Sequence, residues 1–509
     1  MKICLIKPSI VVPAHNQTVM FTPPLGLAYV AGTLKREGLE LGVIDALGES
    51  LDTRHEARND CYLYGLSPKE TVARIPDGAD VIGISVGFSF EWPFCRDLAR
   101  SIRRRFPKAL IVAGGEHITA VPGRSLEESA IDIGVLGEGE ETTLAVVRAL
   151  RTEGFDPAAI QGIAFKDRDG RAVVNARRAR TRDIDDIPWP AWDLLPIENY
   201  LERGMGFGVN RGRSMPLMAS RGCPYQCTFC SNPLMWTTRW IARDPDLLLD
   251  EMRHYQEAYG AENFDFYDLT AIVKKAWIVD FCNKIEQRGM VFTWQLPSGT
   301  RSEAIDDEVA ELLHRSGCRN LSYSPESGSP TVLERIKKRI KTDAVIASIA
   351  SSNRQNMYVK CNIIFGFPGE TLKEILQSYL FIVRMAVAGA YDLSIWAFSP
   401  YPGSELFEQI SKTGRLKLDD AYYDSLRSYA DTTRTVSYSE HISDRALKAL
   451  RWLGTGLFYA TAWLRRPTRP FKMAWNVLHG RQESRSEMAL VNVFYSNKLK
   501  TYSAEADGA

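Results

Sequence analysis

The chain has 509 residues, 45% of them hydrophobic and 25% charged, with a formal net charge of +1. That length points to about three domains at ~150 residues each, the composition is ordinary for a globular protein, and near-neutrality leaves no global field toward nucleic acid. No run reaches the ~18–20 apolar residues of a membrane span, and six of the nine cysteines stand singly among apolar neighbours, which suits reduced thiols in the cytoplasm better than a disulfide framework.

The N-terminal run Met-Lys-Ile-Cys-Leu-Ile-Lys-Pro reads as a first strand and not as a signal peptide. Over residues 1–150, apolar runs (2–6, 41–44, 80–85, 110–113 and 131–136) alternate with amphipathic stretches of helix length (25–37, 68–75, 92–105 and 141–150). This α/β alternation predicts a doubly wound, Rossmann-like parallel sheet. Ligands of such sheets sit beyond the carboxyl ends of the strands. Ser85-Val86-Gly87, Gly114-Gly115-Glu116-His117 and Gly137-Glu138-Gly139-Glu140 fall there. Glycine lets the backbone approach a large planar ligand or a phosphate. Singly, each is equally a turn after a strand.

Residues 151–205 read as a connector. It holds a two-stranded stretch (162–165 and 171–174) around the turn Asp167-Arg-Asp-Gly170. A proline-rich extended segment follows, in which Trp189 and Trp192 are expected to pin the chain to a neighbouring domain. From 206 to 419 the alternation resumes, with strands at 216–220, 263–267, 292–295, 320–324, 359–365 and 393–398. Helices are expected at 245–259, 275–288, 306–316, 331–338 and 372–387, which together suggest a parallel (β/α) barrel.

Directly after the first barrel strand comes Arg221-Gly-Cys-Pro-Tyr-Gln-Cys-Thr-Phe-Cys230. A C-x3-C-x2-C loop can hold three irons of a 4Fe–4S cluster through thiolates and leave the fourth iron open. A structural zinc normally wants four closed ligands, and no fourth Cys or His lies close by. Zinc, or three unrelated thiols, are the bland alternatives. Asp268, Arg301, Glu326, and Gly366 with Gly369 fall at later strand ends on the same face.

The order of these motifs resembles that of the cobalamin-dependent (class B) radical S-adenosylmethionine (SAM) enzymes, over about residues 1–405. Besides the cysteine run, Gly114 to Pro122 matches the family's Gly-Gly-x-His-x-Thr-x-x-Pro, and Gly137 to Thr142 its Gly-Glu-Gly-Glu-x-Thr. Gly366-Phe-Pro-Gly-Glu370 and Pro400-Tyr-Pro-Gly403 match two later motifs. The resemblance implies a cobalamin-binding domain (1–150), a partial (β/α)6 radical SAM barrel (206–419) and a helical C-terminal extension (420–509). It places a 4Fe–4S cluster on Cys223, Cys227 and Cys230, with the amine and carboxylate of SAM on the open iron. Asp268 would receive the methionyl amine, Arg301 the carboxylate and Glu326 the ribose, with a helix N-cap as Glu326's alternative. Gly366 and Gly369 would lie against adenine.

Cobalamin would contact Ser85, Gly87, Gly114, Gly115, Glu116, Gly137, Glu138 and Gly139. The Asp-x-His-x-x-Gly motif that supplies a histidine to cobalt elsewhere is absent, so His117 is not expected as a ligand. The implied activity is C-methylation of an unactivated carbon, with a lipid such as a hopanoid or other isoprenoid as the leaning. Ring formation on a tetrapyrrole or another secondary metabolite is the alternative. A reductase such as flavodoxin or ferredoxin would deliver the electron.

The tail carries a helix over 444–464 with leucines near one stripe and four aromatic residues around it, then Arg465-Arg-Pro-Thr-Arg-Pro-Phe-Lys472 and a second apolar helix. Two readings stand. Aromatics beside a basic cluster suit a helix lying in the membrane interface, which would place the protein peripherally at the inner membrane. A helix capping the open barrel with its apolar face buried fits as well.

Overall fold

The computed structural model describes residues 1–13, 20–429, 431 and 434–494. Residues 495–509 of the expected extension lie outside them. The first sheet has seven strands: β1 (Lys2–Lys7), β2 (Glu40–Asp45), β3 (Val81–Ser85), β4 (Leu110–Gly114), β5 (Ile133–Val135), β6 (Ile163–Lys166) and β7 (Ala172–Val174). Their order is β7-β6-β5-β4-β3-β1-β2. The first five run parallel, while β6 and β7 form an antiparallel hairpin along the β5 edge. The two-stranded stretch expected in the connector therefore extends this sheet.

Alternation along each strand feeds two cores, as a sheet covered on both faces requires. Ile3, Leu5, Val81, Val112 and Val135 pack under α1 (Leu25–Arg36) and α3 (Gly139–Leu150). Cys4, Ile6, Ile82, Ile84 and Ile111 pack under α2 (Trp92–Arg105). The strand order reverses between β2 and β3, on either side of β1, and the carboxyl ends of β3, β4 and β5 open beside that switch point.

The second sheet has six parallel strands in sequential order: β8 (Ser214–Leu217), β9 (Asn263–Phe266), β10 (Thr293–Thr300), β11 (Cys318–Glu326), β12 (Tyr358–Phe365) and β13 (Asp392–Ala397). β8 and β13 do not pair, so the barrel stays open on one side. Its outer layer includes α4 (Pro245–Tyr259), α5 (Lys275–Gln287), α6 (Asp307–Arg315), α7 (Thr342–Arg354) and α8 (Leu372–Ala388). Caps fix the helix ends. Asp244 accepts from the backbone of Asp246 to start α4, Gly260 ends it at φ 62°, and Thr371 with Glu374 forms a capping box for α8. The pin expected of Trp192 exists: its buried indole donates to Tyr255 Oη at 3.1 Å. Trp189, 41% exposed, stacks on His254.

Besides a small antiparallel sheet of Ile10–Pro13, Cys61–Tyr64 and Arg54–Ala57, two elements depart from the sequence reading. α7 was not expected, because its buried face is Val345, Ser348, Ile349 and Ser352, and serines blur the apolar period. The tail does more than one of its two readings allows. α9 (Asp444–Arg465) packs Leu447, Gly454, Phe458 and Ala462 against α8 and β13. A Cβ at Gly454 would lie 2.6 Å from Ile395 Cδ1, which explains the glycine. The opposite face leaves Trp452, Leu453 and Leu464 exposed, as are Phe471, Trp475 and Leu478 on α10 (Thr468–Leu478). Beyond α10 the chain enters the floor of the barrel: Arg485 N donates to Asp392 Oδ2 at 2.8 Å, and Asn320 Nδ2 donates to Glu483 O at 2.8 Å.

Candidate functional site

Two cavities, each of about 190 Å³, open at the carboxyl ends of the two sheets. The first lies over the barrel. Cys223, Cys227 and Cys230 line it together with Arg301, Glu326 and Lys338. None of the three cysteines is in a disulfide. Burial pushes the Cys230 thiol up to about 12 and raises the other two. Among the described residues no three Cys, His, Asp or Glu side chains converge on a single ion. The three thiols line one wall of this cavity.

Glu326 ends β11 with φ +69°, a conformation non-glycine residues rarely adopt, and its buried carboxylate accepts from Lys338 Nζ at 3.1 Å. Residues held this way cluster where function over-determines the backbone. Arg301 stacks its guanidinium 3.8 Å from the Tyr225 ring centroid, inside the cysteine loop, and its Nε has no hydrogen-bond partner among the described residues.

The structure treats the other expected contacts differently. Asp268 does not line this cavity; it is 2% exposed and accepts from Ala219 N at 3.0 Å and from Ser220 Oγ. Burial lifts its carboxyl to about 6. Its geometry is that of a tie holding the chain that leads into the cysteine loop. Gly366 and Gly369 are also outside the cavity. Gly366 N donates to Glu370 Oε2 at 2.6 Å, and a Cβ at Gly366 would meet Leu447 of α9 at 2.7 Å. Gly369 N donates to Glu440 at 2.8 Å. Both glycines serve the turn and the docking of the tail.

The second cavity is largely apolar. It is lined by Leu5, Leu27, Val81, Val112 and Val135, and by Ser85, Gly114, Gly115, Gly137, Glu138 and Gly139 from the strand ends. Gly115, at φ +119°, would place a Cβ 2.2 Å from Val86 O. Backbone without side chains on one wall and aliphatic residues on the other form a slot that suits a flat organic group. Gly87 and Glu116 do not line it. Glu116 is instead half-buried against the cysteine loop, accepting from Ser231 Oγ, one residue past Cys230. His117 lies outside both cavities, its Nδ1 3.0 Å from Ser89 Oγ and its ring stacked on Trp92; burial pushes its pKa down to about 3.

The sequence reading missed the residues joining the two cavities. Arg221, at the start of the cysteine loop, is 4% exposed and donates to Glu140 Oε1 at 2.6 Å, with Glu138 at 3.6 Å. The acidic positions of the Gly-Glu-Gly-Glu motif thus clamp the loop that carries the cysteines. The short helix Asn232–Trp236 separates the cavities: Asn232 lines the first, and Met235 with Trp236 lines the second. An arginine before the cysteines, opposite two buried-sequence glutamates, was the available signal.

Comparison with known proteins accounts for both halves. The family model described as the B12 binding domain matches residues 16–147, and that of the Radical SAM superfamily matches 217–382. The chain belongs to the cobalamin-dependent radical SAM enzymes. An uncharacterized methyltransferase of Pyrococcus horikoshii is 29% identical over 409 residues, 80% of this chain and 83% of that protein. Cytidylyl-2-hydroxyethylphosphonate methyltransferase of Streptomyces wedmorensis is 28% identical over 83% of this chain and 84% of its own length. The solved structure of TsrM from Kitasatospora setae, a radical SAM methyltransferase with cobalamin and a 4Fe–4S cluster bound, superposes with a TM-score of 0.66 at 18% identity. It covers 89% of this chain and 91% of that one, and it bears out the fold. The cofactors of this radical SAM enzyme are a 4Fe–4S cluster, SAM and cobalamin.

Proposed function

We propose that this enzyme transfers a methyl group from cobalamin to an unactivated carbon of an amphiphilic, lipid-class substrate whose polar end enters the barrel. The observation that carries the reading is the shared wall: one five-residue helix, Asn232–Trp236, lines the cysteine cavity with its first residue and the apolar cavity with its last two. A radical source and a methyl carrier on either side of that helix would both face the barrel mouth. When bound, the cofactors supply one-electron reduction, a hydrogen-abstracting radical and a transferable methyl.

The protein's own residues bind and orient. The cysteines would hold the cluster, and Arg301 and Glu326 would position SAM above it. The glycines of the strand ends would admit cobalamin, and the Arg221–Glu140 pair would keep the two halves in register. Stacked on Tyr225, Arg301 would tie SAM recognition to the cysteine loop.

Two features support the substrate class. Residues 445–482 contain eight Lys or Arg and no Asp or Glu, and Arg445, Lys448, Arg465, Lys472 and Arg481 are exposed beside the aromatic and leucine side chains of α9 and α10. That combination suits peripheral contact with an anionic lipid surface. No helix among the described residues is long and apolar enough to cross a membrane. Trp452 of that face lines one cavity with Trp396 of β13, at the open edge of the barrel. An apolar substrate body lying along α9 would therefore reach the lumen.

The test is anaerobic. Reconstituted enzyme, hydroxocobalamin, flavodoxin with its reductase and trideuteromethyl-labelled SAM are incubated with vesicles of total lipid extract and, separately, with an aqueous metabolite extract. Label in a vesicle lipid, with enzyme floating with the vesicles, is the expected result. Label only in the aqueous extract would sink the lipid class. Release of 5′-deoxyadenosine without label in either extract would favour ring formation over methyl transfer.

A further inference from the structure

The lumen of the barrel holds a cation that the enzyme's own fold does not use. Along β12, Val359, Cys361, Ile363 and Phe365 are fully buried in the barrel's outer core. Alternation therefore turns Tyr358, Lys360 and Asn362 inward. Neighbouring strands present polar groups to the same space: Gln295 from β10, Asn320 and Ser322 from β11, and Asp392 from β13 all line one small cavity with Lys360. Above them, Asn362 Nδ2 donates to Ser322 Oγ at 3.1 Å and to Ser324 Oγ at 3.2 Å, and Trp396 Nε1 donates to Asn362 Oδ1 at 3.1 Å. Ser324 also lines the cysteine cavity, so this polar wall is continuous with it.

Within this wall Lys360 stands apart. Its Nζ lies 5.4 Å from the centroid of the Trp396 ring, and among the described residues it has neither a hydrogen bond nor a carboxylate within 4 Å. Asp392 is adjacent in the β12–β13 register; its charge favours the ammonium from a distance, while its oxygens accept from Arg485 N and Ser486 Oγ. Arg485, from the tail, adds a second positive charge to the floor, and Asp265 faces it from β9. Burial, then Arg485, pushes the Lys360 ammonium down to about 8. Half-buried, this cation has the Trp396 ring as its near neighbour and room for an anion to complete it.

We infer that Lys360 is the recognition point for an anionic group, phosphate, phosphonate or carboxylate, on the polar end of the substrate. Lys360 pairs with Ser322, two residues before Ser324. At ~3.3 Å of rise per residue, an anion on Lys360 sits about 7 Å below the wall of the cysteine cavity. The carbons next to that anion then lie between Lys360 and the cysteine loop. The Trp396 indole, flat beside the ammonium, would line the path to the open edge. The inference deepens the methyl-transfer reading and rests on the lumen being that reaction's substrate site.

The test has a readout independent of turnover. The holoenzyme is reductively dimethylated with 13C-formaldehyde, which keeps the lysine charge, and the Lys360 resonance is assigned from its absence in Lys360→Arg. Methylphosphonate and acetate are titrated in turn at constant ionic strength. A saturable shift of the Lys360 signal with at least one anion, not shared by other lysines, is expected. No such shift with either anion would overturn the site. With the substrate found in the labelling experiment, Lys360→Gln should raise KM about 10–100-fold, the worth of one charge-assisted bond, and leave kcat nearly unchanged. Lys360→Arg should recover most of that loss, and an unchanged KM in Lys360→Gln would equally overturn the site. An anion shift without methyl transfer would leave this site standing and remove the reaction assignment alone.

Discussion

The two cavities solve binding in opposite ways. Over the barrel, chemistry-bearing side chains face inward: three thiols, Arg301, Glu326 and Lys338. In the first sheet the wall is aliphatic on one side and bare glycine backbone on the other. The first cavity is specified by what its side chains can bond to, and the second by which side chains are missing. Substitutions should therefore fail differently in each. Removing a functional group should empty the first cavity, while adding bulk should empty the second.

The largest effect tests the cysteine side of that contrast. Cys227→Ala, like Cys223→Ala or Cys230→Ala, is expected to abolish the cluster's visible absorption and reductive cleavage of SAM, while cobalamin still binds the apolar cavity. A variant that kept both cluster signals would break the assignment. The next effect tests the glycine side. A Cβ at Gly114 would meet Val135 only at an ordinary 3.5 Å, so Gly114→Ala should be mild. Gly114→Leu should fill the slot and weaken cobalamin binding by about 100-fold, since overpacking of this kind costs ~1–3 kcal/mol before any contact is lost. Equilibrium dialysis with hydroxocobalamin measures it, with iron content as the internal control. Equal loss of iron and cobalamin would mean general misfolding and would erase the distinction between the cavities.

The legible parts of this molecule were those where one residue type suffices for a function. The three cysteines at fixed spacing do line one cavity, and Gly114, Gly115, Gly137 and Gly139 line the other. Both sheets were legible too, because a strand buried on both faces writes a continuous apolar run. What stayed hidden was partner choice. Asp268 and Glu116 looked like ligands because a carboxylate at a strand end looks the same in sequence whether it meets a cofactor or a backbone N–H. In the fold one meets Ala219 N and the other Ser231 Oγ. Gly366 was ambiguous for a related reason: a close approach by adenine and one by Leu447 both exclude a Cβ, while Gly369 is held by its φ of +71°. Arg485 plugging the barrel floor was illegible, since its contact with Gly208 spans 277 residues of chain.

The smallest effect concerns His117, which belongs to neither cavity although it sits in the motif that serves the apolar one. Its imidazole is fully buried beneath the sheet, stacked on Trp92 at 4.6 Å, with Tyr423 edge-on and Nε2 without a hydrogen-bond partner among the described residues. A cobalt ligand would have to leave this packing, so the residue reads as structural, and its titration offers a way to check. Burial holds the folded pKa down at about 3, against 6.5 for the free side chain. Between those values the unfolded chain binds a proton that the folded one does not. Stability from this group is therefore complete above pH 6.5 and falls with acid, by ~1.4 kcal/mol per pH unit, until the folded group titrates. His117→Gln should lack that slope: its urea midpoint should decline less than the wild type's between pH 6.5 and 5, with cobalamin affinity at pH 7.5 unchanged. A cobalamin affinity that collapsed in His117→Gln while the two acid profiles stayed parallel would move His117 from the packing of the first sheet to its ligand.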